Sequence, residues 1–151
     1  MNNINKQLLI GKSPNSKLLK IYTESLVCLN KTQWEASIGL MLGDGSLNTQ
    51  NKGKTYRLKF EWGDKNKTYL TPVYHLFDEW VLSTPHKKTR ISPKGNLVIT
   101  WGFQTISHKA FNPLAKLFLL KGTKVIPELL IKDHLTDRGL AYWFMERAAR
   151  W

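Results

Sequence analysis

Cysteine is almost absent from this 151-residue chain. Cys28 stands alone, so no internal disulfide can form, and no Cys/His spacing suits a zinc ion. The four histidines, His75, His86, His108 and His134, are scattered and read as surface or packing residues. Long apolar runs are missing too: the longest fall far short of a bilayer span, which argues against a membrane partner. The opening "MNNINKQLLIGK" has no apolar core followed by a small-residue cleavage site, so it is not a secretory signal. Its poverty in arginine argues against a cleaved mitochondrial transit peptide. No low-complexity linker and no short repeat divides the chain, which reads as a single domain over 1–151.

Acidic residues are also scarce. Eleven Asp and Glu face 23 Lys and Arg, giving a net charge of +12 and a pI near 9.9. With 42% hydrophobic and 11% aromatic residues the chain can build a core. A folded domain this basic usually meets a polyanion, most often nucleic acid. A generic basic surface, as on a ribosomal or membrane-surface protein, is the alternative. Asn, Lys and Ile, whose codons are AT-rich, are abundant up to about residue 135, and the closing "ERAAR" breaks that bias.

The pattern along the chain predicts an α+β fold with an antiparallel sheet covered by helices on one face. "SPNSKLLKIYTESLVCLN" spaces Leu18, Leu19, Tyr22, Leu26 and Leu29 along one helix face. "KTQWEASIGLMLGDG" predicts a second helix, with Thr32 as N-cap and Glu35 closing a capping box. In "KTYRLKFEW" Tyr56, Leu58, Phe60 and Trp62 alternate with Arg57, Lys59 and Glu61, the signature of a half-buried strand. "KTYLTPVYHLFDEWVL" places Leu70, Val73, Leu76, Phe77 and Val81 at helical spacing, with Pro72 in the first turn. "KKTRIS" and "NLVITWGFQT" flank Pro93-Lys94-Gly95 as a hairpin. "HKAFNPLAKLFLL", "IPELLIKDHL" and "DRGLAYWFME" complete the chain as three helices. The sheet's polar face is predicted to hold Arg57, Lys59, Glu61, Lys87, Lys88, Arg90, Asn96 and Thr100, a cationic ribbon suited to a DNA major groove.

"GLMLGDG" sets Gly39 and Gly43 one helical turn apart, at a cost of about 1 kcal/mol each in helix propensity. Such spacing usually lets another backbone come close. Asp44 follows at the helix's C-terminal end, where the dipole disfavours a carboxylate and a cation or metal ion is wanted. The alternative is a helix that simply ends at glycine with an exposed aspartate.

The stretch "IGLMLGDGSL" resembles the motif of LAGLIDADG homing endonucleases, and "LAYWFMERAARW" resembles a second copy of it. "PNSKLLK", "GKTY", "FEW", "WVLS", "PHKK", "GNLVITWG", "AFN" and "LAYWFM" extend the likeness over nearly the whole chain. They resemble the N-terminal half of a two-motif member encoded by a yeast mitochondrial intron. The resemblance implies an αββαββα half with a saddle-shaped antiparallel sheet, followed by the start of a second motif helix at about 138–148. It implies a metal-dependent cutter of double-stranded DNA at long sites, using Mg²⁺ or Mn²⁺, that is encoded and works in the mitochondrion. By resemblance Asp44 is the first metal-binding acid, and Lys124 is the basic residue beside the reaction centre. Asn15, Lys20, Glu61 and Lys88 match DNA-touching positions.

Superimposing the motifs by their ends puts Arg147 opposite Asp44, where the family has an acid, with Glu146 one place early. One residue is about 100° around a helix, so Glu146 would not point at the shared centre. The resemblance therefore implies a chain that stops inside its second motif and lacks the second half. An exposed apolar helix would then drive aggregation or dimerisation. The leading reading is a homing endonuclease-like DNA-binding protein, by descent a site-specific endonuclease of a mobile intron, inactive unless it dimerises. In the homodimer each chain would give one Asp44 through the Gly39–Gly43 face, for which the C-terminal helix competes. An intron-RNA-binding splicing helper and a DNA-binding module without chemistry are the other readings.

Overall fold

The computed structural model describes Leu9 and residues 16–148, without the side chains of residues 66, 67, 69, 70 and 146–148. Asn15 lies outside the described residues, as do the side chains of Leu70, Glu146 and Arg147. Helices α1 (Lys17–Ser25) and α2 (Lys31–Leu42) lead into strands β1 (Ser46–Asn48) and β2 (Arg57–Gly63). Helix α3 (Lys67–Leu76) precedes the hairpin of β3 (His86–Ile91) and β4 (Leu97–Gln104). Helix α4 (Asn112–Phe118), a small hairpin of β5 (Leu119–Leu120) and β6 (Thr123–Lys124), α5 (Leu130–His134) and α6 (Asp137–Ala148) follow. From α2 to α4 this is the expected αββαββα order.

The sheet is antiparallel in the order β1-β2-β4-β3. Alternation along β2 does what the sequence pattern requires: Leu58, Phe60 and Trp62 are buried while Arg57, Lys59 and Glu61 stay at least partly exposed. The buried face packs on Ile38, Leu40 and Met41 of α2, Val73 of α3, Phe77, Trp80 and the α4 residues Leu114 and Phe118. Each such side chain contributes about 1.5–3 kcal/mol when fully buried.

Helix α2 is buried from Glu35 to Leu42. A helix apolar all round belongs between two layers, and here α6 supplies the second. At the crossing a Cβ on Gly39 would sit 2.0 Å from the carbonyl oxygen of Gly139, and one on Gly139 would sit 2.9 Å from that of Glu35. Gly39 is thus a helix-pairing residue, but its counterpart is Gly139. Gly43 lies beyond the last helical turn, as the C-cap.

Several local expectations are corrected. Pro72 lies inside α3, beyond its first turn, and Phe77 and Val81 lie past the end of that helix. The N-cap of α2 is Asn30, whose Oδ1 accepts from the Gln33 amide at 2.7 Å while Gln33 Oε1 accepts from the Asn30 amide at 2.9 Å. Thr32 lies inside the helix, and Glu35 faces α6 instead of closing a box. Helix α1 ends at Ser25, where Leu26 turns extended, so Leu26 and Leu29 reach the core from a connecting segment. The "IPELLIKDHL" stretch is helical only over Leu130–His134, preceded by Pro127 and the one-turn Leu130 N–H to Pro127 carbonyl bond.

Candidate nucleic-acid interface and acidic centre

Register decides which side chains share the outer face of the sheet. Lys59 pairs with Gln104 and with Ser46, Glu61 with Gly102, and Arg57 with Asn48. Across the next ladder His86 opposes Gly102, Lys88 opposes Thr100 and Arg90 opposes Val98. Directly opposed residues point the same way and the direction alternates along each strand. Arg57, Lys59, Glu61, Lys88 and Arg90 therefore stand on one face, as the sequence predicts. Lys87 does not: it opposes Trp101, which opposes the buried Trp62, so it lies on the other side of the sheet. Adjacency in "HKK" concealed this, since neighbouring strand residues always face apart. Ser46, Asn48, His86 and Gln104 join the outer face unanticipated; β1 has three residues, too short for a periodic signal, whereas Gln104 could have been read from the alternation of Gly102 and Thr100.

Opposite charges are interleaved on this face. Lys88 Nζ lies 3.2 Å from Glu61 Oε1, with both side chains about half exposed, so the pair leaves the surface strongly cationic. Lys20 of α1 and Arg57 are brought together at a cleft of about 410 Å³ between α1 and the sheet. Arg57 Nε is sealed from solvent there without a hydrogen-bond acceptor. A buried guanidinium N–H without an acceptor is costly.

The acidic centre forms where α2 ends. The last carbonyls of a helix lack intrahelical donors and carry the negative end of its dipole. Lys124, at the base of the β5–β6 hairpin, donates from Nζ to the carbonyls of Gly43 and Gly45 at 2.7 Å each. It clasps the backbone on both sides of Asp44, which is exposed. The sequence resemblance had put Lys124 near the centre; its grip on the Asp44 loop could not be read from spacing.

Glu35 and Arg138 lock the α2–α6 crossing. Arg138 Nη1 donates to Glu35 Oε2 at 2.8 Å, the carboxylate being one-tenth exposed. Arg138 was not singled out beforehand, and Glu35 only as a capping residue.

Among the described residues, the acid at the end of α2 is Asp44. Among the described residues no group of three or more His, Cys, Asp and Glu could hold a metal. Mg²⁺ in phosphate chemistry is often held by one or two carboxylates, with the substrate's phosphates and water completing its shell. Asp44 fits that role with DNA present, and the described residues alone do not form a cage around it.

An antiparallel sheet with a cationic outer face thus lies beside a tightly paired helix that ends at an acid. The model of the LAGLIDADG DNA endonuclease family matches residues 34–150, and the chain belongs to that family. Over 148 residues it is 43% identical to the "Probable intron-encoded endonuclease 1" of Wickerhamomyces canadensis, covering 98% of this chain and 63% of that protein. It superimposes on the homing endonuclease I-WcaI bound to its DNA recognition sequence with a TM-score of 0.86 and 42% identity, covering 93% of this chain and 62% of that one. It is also 30% identical over 121 residues to the cytochrome b mRNA maturase bI2 of Debaryomyces hansenii, covering 46% of that protein. The chain thus spans less than two thirds of the length of each of these relatives.

Proposed function

We propose that this chain is a DNA-binding half of a homing endonuclease, whose outer sheet face docks in the major groove of double-stranded DNA. The observation that carries this reading is the coexistence of Arg57, Lys59, Lys88 and Arg90 on one face with Asp44 at the end of the paired helix. On this reading the cations meet phosphates and guanine edges, and Glu61 meets an amino group of cytosine. Lys20 and Arg57 hold one phosphate at the α1 cleft. Asp44 would hold a divalent ion, Mg²⁺ or Mn²⁺, at the scissile phosphate. Its contribution when bound is Lewis-acid polarisation of a phosphate oxygen. Lys124 keeps the Asp44 loop in place and brings positive charge to the centre. The site of action is the mitochondrion, in line with intron-encoded relatives.

Cleavage of both strands needs a second acid. Arg147 falls at the position matching Asp44 in the second motif, and a cation there opposes metal binding. The Gly39 face that a homodimer would use is already covered by α6. The reading is therefore DNA binding through this chain, with double-strand cutting dependent on a second acid beside Asp44. The likeness to a maturase favours intron RNA as the second partner to be examined.

The test uses duplex DNA carrying an intron insertion site of the relatives, with Mg²⁺ or Mn²⁺, beside an Asp44→Asn control. Salt-sensitive, site-preferring binding supports the reading. Equal binding to any duplex, or none, overturns it. Cutting by the unaltered chain and not by Asp44→Asn would show that the chain carries activity of its own.

A further inference from the structure

Helix α1 carries Lys20 and has no buried residue. Helices are ordinarily held in place by burying an apolar face, so apolar packing holds α1 weakly. Two polar tethers supplement it. The Tyr22 hydroxyl donates to the Glu79 carbonyl. The imidazole of His108 meets the Thr23 carbonyl at 3.0 Å, from 85 positions away along the chain. The sequence pattern leaves His108 as a packing residue; its contact with α1 gives it a further part.

The direction of that contact follows from the other ring nitrogen. Nδ1 accepts from the Ala110 amide at 2.9 Å and so caps the short turn Lys109–Phe111. Nε2 therefore carries the ring proton and donates it to Thr23. The side chain is buried, and its ring stands edge-on to Trp80 with centroids 5.0 Å apart. The backbone is fixed as well: His108 donates to the Tyr56 carbonyl at 2.9 Å, and Tyr56 donates back at 3.5 Å. Tyr56 directly precedes Arg57. One residue thus anchors both the helix that carries Lys20 and the strand entrance that carries Arg57.

Lys20 and Thr23 lie three residues apart on one face of α1. They line the α1 cleft with Arg57 and with Thr105, Ile106 and Ser107, the stretch that runs straight into His108. We propose that His108 is a positioning residue of the DNA interface: through Thr23 it holds α1 against the sheet so that Lys20 and Arg57 grip one phosphate together. The inference rests on the reading of this cleft as a phosphate contact. Two cations on separate elements share a phosphate well only if their spacing is set in advance, because ordering a loose helix during binding costs affinity. His108 touches no DNA itself. It acts through the helix it tethers.

The test separates the two ring nitrogens. In His108→Asn the amide oxygen replaces Nδ1 and keeps the cap, but the reach to Thr23 is lost. In His108→Gln the amide nitrogen replaces Nε2 and keeps the tether. Both lose the ring that packs on Trp80, so a purely structural role affects both alike. Fluorescence anisotropy follows binding of the whole chain to duplex DNA carrying an intron insertion site of the relatives, at several salt concentrations. His108→Asn is expected to bind about fivefold more weakly, the share of one hydrogen bond. It should also lower the slope of log K against log salt by about 0.9, the share of one phosphate. His108→Gln should recover most of both. Lys20→Ala should cost about fivefold in the unaltered protein and at most about twofold in the His108→Asn background, where its contact is already lost. Equal losses in the two His108 variants overturn the proposal and leave duplex docking standing, as does a Lys20→Ala effect that is the same in both backgrounds or absent from the unaltered protein. No duplex binding by the unaltered chain overturns the docking reading and this inference with it. Should neither His108 variant fold, the imidazole NMR signals of the unaltered protein decide. Coupling is reciprocal, so duplex DNA should slow solvent exchange of the Nε2 proton about fivefold, and an unchanged rate overturns the proposal.

Discussion

Glu35 and Arg138 are 103 positions apart and joined by a 2.8 Å ion pair, the same separation that relates Asp44 to Arg147 in the two motifs. The pair ties equivalent positions of the two motif helices to each other, just above the crossing of Gly39 and Gly139. Removing one partner strands a carboxylate that is one-tenth exposed. Because Arg138 is itself nearly half exposed, the loss in Arg138→Ala is expected at the low end for a broken buried pair, about 2 kcal/mol. Urea unfolding reads it directly, and a change within about 0.5 kcal/mol, as at ordinary surface sites, would mean that water replaces the guanidinium.

Gly39→Ala should be among the most damaging single changes in the chain. The added methyl would overlap the Gly139 carbonyl at 2.0 Å, and that oxygen belongs to helix backbone. The helices must separate, at a cost of about 3 kcal/mol. Gly63→Ala is the control: its Cβ meets nothing within 4 Å. Comparable thermal shifts for the two variants would refute the close crossing.

Duplex affinity should discriminate between neighbouring lysines. Lys88→Ala, on the outer face, should reduce the slope of log K against log salt by about 0.9 if it contacts a phosphate. Lys87→Ala, on the other face, should leave the slope unchanged. Titrations at several salt concentrations measure both, and a larger effect at Lys87 would reverse the strand assignment.

Alkaline stability should report on Tyr22. Its hydroxyl donates to the Glu79 carbonyl. Burial, then the nearby Glu79 and Asp78 carboxylates, raise its pKa above the ordinary 10.0. The folded state therefore holds the phenol's proton more tightly than the unfolded state does. That contribution is fully present below pH 10 and is lost as pH rises from there through the folded-state pKa. Tyr22→Phe should flatten the decline in melting temperature above pH 10. An unchanged slope would place the titrating group elsewhere.

Leu140 and Phe144 lie one turn apart on α6 and are 48% and 71% exposed. An apolar helix stripe in water favours association. Light scattering of the chain alone should detect self-association that Leu140→Glu/Phe144→Lys reverses. A monodisperse monomer at tens of micromolar would argue that these side chains are tolerated in water.

Much of the sheet was legible because its physics is local. Leu58, Phe60 and Trp62 alternate with Arg57, Lys59 and Glu61 over enough residues for period two to emerge above chance. β1 was not legible, since three residues cannot display a period, and neither was the two-residue hairpin that carries Lys124. The cap of α2 was misplaced because Asn30-Lys31-Thr32-Gln33 offers two overlapping caps; only the fold favours Asn30, whose Gln33 partner also donates to the Leu76 carbonyl and to Glu79.

The amino-acid sequence by itself determined the basic character, the alternating strand, the family motif and Asp44 as its acidic end. These depend on composition and on order along the chain. Only the tertiary structure decided that Gly39 meets Gly139, that Glu35 pairs with Arg138, that Lys124 clasps the carbonyls around Asp44, and that Lys87 turns away from Lys88 and Arg90. Each of these depends on how one element lies against another. Packing and ladder register set that relation, and neither is recorded in the spacing of residues within a single element.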